Sequence, residues 1–468
     1  MIMSPGLPPV SDSRPPAPPL NLFVHCPTSV DYLAELNASI PGVECYAERA
    51  LLLAGRKDVV CLTEGVEPAY LEFLAGLELG PAPENVIVAS GVDGADRCQP
   101  LWQRLLESPE ALETLSALIR MHGSGRVHPF IVSAGQFELA EVLERRSGAP
   151  VRVEGGDPRV VAYADFKHHI RAKAIELGVP VAPGEVVDLD SAGGSSRREY
   201  EILIRAIHRQ AQATGRVIVR GTSGAAGSAT FCADRGNQSI QALAERLAGR
   251  RENRIYLVES MVETTASPNI QMRIDGSTHS IECSGATDQR WERTLVHGGN
   301  LYPSTARCIP QMRAWAHTLA QWLCGAGFMG LAGFDFVEYT EPSGEPRAFL
   351  AEVNPRVNGA TYPLGLMARL NTIQRDAGLP EIGAFVSGNV VTPADSFAAL
   401  RELLDDLLFS PGRSSGLVPY VTGCLPYGKC GMVAFAPCPV EADELFREAG
   451  AAAAGLRMSY PAAAFSNG

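Results

Sequence analysis

The sequence predicts an α/β chain of several units: a parallel α/β domain first, a mixed α+β domain after it, and a small C-terminal domain. Three observations carry this reading. Short apolar runs alternate with helix-like stretches over the N-terminal third, as in a parallel α/β domain. Beyond that point hairpin patterns appear between helical ones. The 468 residues also exceed what one hydrophobic core commonly organises.

Composition narrows the function classes. With 46% hydrophobic and 20% charged residues the chain is not broadly disordered. A net charge of −12 argues against a general nucleic-acid or anionic-membrane binder. It leaves room for a phosphate ligand, which needs only a few local donors. No apolar run reaches the length of a membrane span, and the start lacks the basic and apolar regions of a signal peptide. Residues 1–20 are proline-rich and read as a disordered tail. Eleven scattered cysteines without a CxxC pair suggest free thiols in a reducing cytoplasm, and Cys424, Cys430 and Cys438 lack zinc spacing.

In chain order, strand-like runs stand at Leu20–Val24, Asp58–Leu62, Asn85–Ala89 and Phe130–Ser133, with helical patterns at Leu101–Met121 and Glu138–Arg146. No GxGxxG follows any of these strands, so a dinucleotide fold has little support. A first domain over 21–158 closes at Glu154-Gly-Gly-Asp-Pro158. A second, over 159–400, opens with a helix from Asp165 to Leu177 that stops at Gly178. A helix over Arg197–Thr214, strands at Arg216–Arg220 and Ile255–Glu259, and a hairpin over 270–283 turning at Asp275-Gly276 follow. A helix over Pro310–Gly325 precedes strands around 331–339 and 347–354. Residues 401–468 form the small last domain.

The most informative stretch is Gly330-Leu-Ala-Gly-Phe-Asp-Phe-Val-Glu-Tyr339 with Ala348-Phe-Leu-Ala-Glu-Val-Asn-Pro-Arg356, joined through Pro342-Ser-Gly344. A turn centred between Ser343 and Gly344 sets Asp335 opposite Glu352. Strand alternation then puts Glu352, Asn354 and Arg356 on one face, with Phe334 and Phe336 turned away from Asp335. Like charges directly opposite are destabilising unless a cation neutralises them, and an oxygen donor set without Cys or His suits Mg²⁺. A solvated acidic hairpin face fits the same residues.

Three further stretches add to it. The strand Arg216–Arg220 runs into a small-residue loop, Gly221 to Thr230, whose backbone N–H groups can cradle phosphate oxygens beside Arg220. It lacks the lysine of a P-loop, and taken alone it reads more simply as a connector between strands. Lys167 is a third phosphate contact or a surface lysine. Ile255–Val262 reads as a sheet edge offering backbone groups to a nucleobase, or as an ordinary buried strand.

Taken in order, these stretches resemble the ATP-grasp family over about residues 160–370. The resemblance implies an ATP-grasp fold, preceded by a pre-ATP-grasp α/β domain and followed by a small C-terminal domain. It implies ATP and Mg²⁺ as cofactors. By position, Lys167, Arg220, Gly224, Gly227 and Ser228 would hold phosphates, and Glu259, Ser260, Met261 and Val262 the adenine. Glu263 is a candidate ribose contact. Asp335, Glu352 and Asn354 would hold the metal, with Arg356 facing the reacting phosphoryl group, Arg220 assisting, and His297 a base or orienting donor or an ordinary surface or core histidine. Arg220 stands where most of the family has lysine, and Phe166 separates Asp165 from Lys167.

The implied activity is an ATP-dependent carboxylate–amine ligase that forms an amide through an acyl phosphate and releases ADP and phosphate. Its partners would be a small carboxylate donor and a peptide or amino-acid amine, with no nucleic acid and no membrane. A homodimer is among the expectations. With Gly416–Met432 and the N-terminal domain included, the chain resembles the ATP-grasp peptide ligases of pheganomycin biosynthesis. That implies joining a nonproteinogenic, guanidino-phenylglycine-like acid to a peptide N-terminus in natural-product (antibiotic) biosynthesis. Another ATP-grasp amide or dipeptide ligase, or a non-catalytic nucleotide-binding regulator, stays open; intact Asp335, Glu352 and Asn354 count against the last.

Overall fold

In the computed structural model the described residues, 18–29, 40–89, 98–223, 229–250, 253–293 and 296–455, build three sheets. The first is parallel. Its strands are β1 (Leu20–Val24), β2 (Val59–Leu62), β3 (Val86–Val88), β4 (Gly125–Pro129) and β5 (Val151–Val153), in the order β3-β2-β1-β4-β5. Helices α1 (Pro68–Gly76), α2 (Leu101–Glu107), α3 (Pro109–His122) and α4 (Ala134–Ser147) connect these strands. Two short helices, α5 (Pro158–Asp165) and α6 (Lys167–Glu176), lead out of this unit.

The second sheet is antiparallel. It contains β6 (Gly184–Asp188), β7 (Arg216–Gly221), β8 (Thr230–Asp234) and β9 (Ile255–Ser260) in the order β6-β9-β7-β8. Helices α7 (Ser196–Thr214) and α8 (Asn237–Leu247) bury Leu203, Ile207 and Leu243 against Val217, Val219 and Val258 in a separate small core.

The third sheet has nine strands. They are β10 (Thr264–Ala266), β11 (Pro268–Ile274), β12 (Ile281–Arg293), β13 (Val296–Tyr302), β14 (Gly330–Thr340), β15 (Pro346–Asn354), β16 (Ala384–Val391), β17 (Gly416–Tyr420) and β18 (Lys429–Ala436). The order is β10-β14-β11-β12-β13-β16-β18-β17, with β15 paired to β14, and every pairing is antiparallel. Helices α9 (Ile309–Gly325), α10 (Thr361–Asp376), α11 (Phe397–Leu404) and α12 (Pro439–Ala453) pack around it. The first and third sheets share one continuous core, in which Leu22, Val60, Phe334, Phe385 and Phe435 are all buried. Tyr70 of α1 donates to the Pro419 carbonyl at 2.8 Å, tying the first sheet's helices to β17. Among the described residues no helix is long and apolar enough to cross a membrane.

Several elements differ from expectation, each for a local reason. The fourth strand is Gly125–Pro129, not Phe130–Ser133. Only alternate residues of β4 face the core, so its apolar signal is weak, while the stronger Phe130–Val132 run is a buried connection into the Ser133 cap of α4. The Leu101–Met121 pattern is two helices, because Ser108 caps α3 with Pro109 as its first residue. The Asp165–Leu177 helix is likewise two. Phe166 is extended (φ −82°, ψ 118°), and the Lys167 N–H leaves the helical ladder to donate to the Thr222 carbonyl at 3.0 Å. Finally, β9 is not a sheet edge: β6 and β7 flank it on both sides.

Candidate active site

The hairpin of β14 and β15 sets Asp335 opposite Glu352 and Gly333 opposite Asn354, as the sequence predicts. The route differs. Phe336 pairs with Leu350 and Thr340 with Pro346, so the turn centres one half-residue earlier, on Ser343. A bulge at Ala351 restores the register at Asp335. Such an extra residue leaves a backbone group outside the ladder, and here the Ala351 carbonyl accepts from Arg220 Nη1 at 3.0 Å. The bulge that aligns the two carboxylates therefore also anchors the arginine of the second sheet.

Asp335 is buried and surrounded by amides. It accepts from Asn269 Nδ2 at 2.5 Å and from Asn354 Nδ2 at 2.8 Å. Asn354 Nδ2 also reaches Glu352 Oε1 at 3.3 Å. Burial, then the Glu352 carboxylate, push the Asp335 carboxyl well above its usual range. Burial acts on Glu352 too, but Lys167, Arg220 and Arg356 outweigh it and hold that carboxyl low. The cations thus favour the ionised form of Glu352, while among the described residues no positive side chain pairs with Asp335.

The cations come from the α5–α6 break (Lys167), the second sheet (Arg220) and the exit of β15 (Arg356). Lys167 opens α6, is 7% exposed, and pairs its ammonium with Glu352 Oε2 at 2.9 Å. Asp165 closes α5 and faces Arg356, whose Nε lies 3.6 Å from its Oδ1. Arg356 also stands over the Phe130 ring, 5.8 Å from its centroid. The break at Phe166 lets residues two apart both point into one site, which a continuous helix forbids. Arg220 Nε and Nη2 donate to Glu259 Oε2 at 2.9 and 2.6 Å, and Arg171 Nη1 to Glu259 Oε1 at 2.9 Å. The Glu259 side chain is therefore the counter-ion of two guanidiniums.

Other sequence-predicted residues stand further along β9. The Ser260 N–H donates to the Pro183 carbonyl and its Oγ to Gln210; the Met261 N–H donates to the Arg216 carbonyl. Met261 and Val262 are half-buried and Glu263 is exposed where the chain leaves the strand. His297 on β13 hydrogen-bonds Asn300 Oδ1 at 3.5 Å, beside Gly359. Gly224, Gly227 and Ser228 lie outside the described residues.

Sequence reasoning missed a run of buried amides beside the carboxylates. Gln271 Nε2 donates to Asn269 Oδ1 at 2.6 Å and Asn358 Oδ1 at 2.9 Å, and Thr361 Oγ1 donates to Gln271 Oε1 at 3.1 Å. Alternation along Pro268-Asn-Ile-Gln-Met272 shows Asn269 and Gln271 on one strand face, but nothing local shows that β11 lies against β14. Among the described residues, Asn358 Nδ2 and Arg356 Nε are buried without a hydrogen-bond acceptor. Buried donors of this kind are costly unless something else accepts from them. A cavity of about 510 Å³ adjoins this end of the site, lined by Arg356, Gln271 and Thr361 and, from the first sheet's side, by His25, His128 and Phe130.

An α/β domain leading into a small antiparallel sheet, with cations facing a carboxylate hairpin of a larger sheet, is the ATP-grasp fold. Comparison with known proteins agrees at that level. Residues 47–144 match the family model described as the pre-ATP-grasp domain. The whole chain is similar in fold to biotin carboxylase from Campylobacter jejuni, solved as a β,γ-ATP complex. Identity is 13% and the TM-score 0.54, over 92% of this chain and 90% of that one. It is also similar to pyruvate carboxylase from Rhizobium etli, at 14% identity and a TM-score of 0.51, over 92% of this chain and 37% of that one. No curated protein matches the chain in sequence.

Proposed function

We propose that this chain is an ATP-dependent carboxylate–amine ligase. The observation that carries the reading is the buried meeting of Lys167, Arg220 and Arg356 with Asp335, Glu352 and Asn354 across two sheets. No Ser, Cys or His nucleophile is needed for such chemistry, because positioning and charge neutralisation suffice.

The residues fit a hard divalent cation. Asp335 and Glu352 face each other with all-oxygen donors, and the Asn354 side chain touches both. Among the described residues no third acidic, His or Cys side chain joins them, which suits a cation that also takes phosphate oxygens. Asp335, Glu352 and Asn354 would hold Mg²⁺, which when bound neutralises phosphate charge. Lys167 and Arg220 would bind ATP phosphates, and the β9 exit at Met261–Glu263 would meet the base and ribose. Arg356 and Asn358, with unaccepted N–H donors, would orient anionic oxygens of the reacting groups.

In the proposed reaction a substrate carboxylate oxygen attacks the γ-phosphorus of ATP and the bond to ADP breaks. An amine then attacks the acyl phosphate carbon, phosphate leaves, and the amine proton passes to solvent. The finer reading is ligation of a guanidino-phenylglycine-like acid to a peptide N-terminus. It is tested by incubating carboxylate and peptide pairs with MgATP and following mass gain with nucleotide products. ADP and phosphate are expected in step with amide; AMP and pyrophosphate would rule out the acyl-phosphate route.

A further inference from the structure

The 510 Å³ cavity beside Arg356 adjoins a second of about 860 Å³, and the two share Arg126, Glu154, Arg273, Met329 and Gly330 as common walls. The chain carries a net charge of −12, yet the first cavity is lined by four guanidiniums, Arg126, Arg273, Arg356 and Arg369, against two carboxylates, Asp58 and Glu154.

Both carboxylates are committed. Asp58 accepts from the Gly55 N–H at 2.6 Å and Asn21 Nδ2 at 2.9 Å. Glu154 Oε2 holds His128 Nδ1 at 2.8 Å, and its Oε1 meets Arg273 Nη1 only at 3.7 Å. Arg369 donates to the Ala54 carbonyl, and Arg356 belongs to the reaction centre. The Arg126 side chain makes no hydrogen bond or ion pair to any described residue, although the Glu154 carboxyl feels its charge. The walls shared by the two cavities therefore carry two guanidiniums, Arg126 and Arg273, against the one carboxylate of Glu154, and Arg356 lines the first cavity with them. The same cavity is also lined by the apolar side chains of Phe130, Phe328 and Leu364. Guanidinium forks match carboxylates in geometry and charge.

We infer that Arg126 and Arg273 form a subsite for a free carboxylate, so that the substrate filling this cavity bears a carboxylate distinct from the group reacting at Arg356. Two sources share that chemistry: an amino acid or short peptide acting through its amine, and a dicarboxylic acid acting through its other carboxyl. The inference rests on the ligase reading for what happens at Arg356, but the binding itself does not.

Equilibrium dialysis of the full chain with MgATP tests it, the retained compounds being read by mass. One arm offers a pool of tripeptides as free acids against the same pool as C-terminal amides; the other offers dicarboxylic acids against their monoamides. Retention of the free-acid form should exceed that of its amide about tenfold or more in one arm, which also identifies the source. The Arg126→Gln/Arg273→Gln double variant should lose that preference while keeping MgATP affinity, and Arg126→Lys should keep a weakened form of it. Both arginines are exposed, so the variants fold, as thermal melting checks. Equal retention of acid and amide, no retention in either arm, or an unaffected double variant would overturn the subsite. Acid-selective binding without ADP formation would instead remove the ligase reading and leave the subsite standing.

Discussion

Glu352 is the side chain on which the proposed centre turns. It faces Asp335 across the ladder, receives Lys167 at 2.9 Å, and shares the Asn354 amide. Replacing it by glutamine keeps the shape but removes the charge that opposes ionisation of Asp335 and attracts Lys167. The side chain is 26% exposed, and Asp165 remains near both Lys167 and Arg356, so the fold should survive. Glu352→Gln is expected to melt within a few degrees of the parent and to lose at least about a hundredfold in ATP-dependent amide formation, as removal of a transition-state charge contact does. Turnover near the parent rate would show that the hairpin carboxylates serve structure alone. The acidic pair was readable from sequence because two strands and a short turn put it there. The amides of Asn269, Gln271 and Asn358 were not, since their meeting depends on β11 lying beside β14.

At the scale of elements, strand β14 needs Gly333 for a reason sequence does not display. A Cβ at that position would come within 2.1 Å of Asn358 Nδ2, 2.8 Å of Gln271 Nε2 and 2.9 Å of Asn269 Nδ2. The glycine is extended and could adopt its backbone shape as alanine, so the constraint is space, not dihedral angle. Asn269, which donates to Asp335, and the linked amides of Gln271 and Asn358 close over the bare Cα of Gly333. Gly333→Ala should therefore cost about 1–3 kcal/mol in urea unfolding, as overpacking does, and should also displace Asn269 from Asp335. Its effect on ligation should exceed its effect on stability; a purely packing role would leave the rate constant of the folded fraction unchanged. The helix break at Phe166 and the bulge at Ala351 belong to the same scale. Helical periodicity across 165–177 gives no sign of the first, and a turn one half-residue away would have hidden the second. In both cases contact with another sheet decides the local backbone.

Over the whole molecule the first sheet's unit is bound to the C-terminal segment through a buried carboxyl. Glu48, 2% exposed, accepts from the Gly423 N–H at 2.9 Å and from Thr422 Oγ1 at 3.2 Å. Burial outweighs these bonds and pushes its carboxyl from 4.5 up to about 7. The folded chain thus holds this proton more tightly than the unfolded one. The stabilisation linked to it is present in full below about pH 4.5 and is lost as pH rises through about 7, amounting to roughly 3 kcal/mol. His25 works the other way. Burial lowers it from 6.5 to about 3, so its neutral form favours the fold above about pH 6.5 and that support fades as pH falls toward 3. Because the windows overlap, the bare pH–stability curve would not separate them, but a difference curve does. Urea-unfolding free energies of the parent minus those of Glu48→Gln should fall by roughly 3 kcal/mol between pH 4.5 and 7 and run flat on either side. In the sequence the parallel sheet and the last strands read as parts of separate domains, whereas β17 and β18 continue the third sheet beside β16. The union of the first sheet's unit with them was not legible, because nothing around Glu48 in Val43–Leu52 hints that its acceptor oxygens are filled from residues 422 and 423. A difference curve that stays flat throughout would mean that the carboxylate is solvated in solution and that this junction opens in the native state.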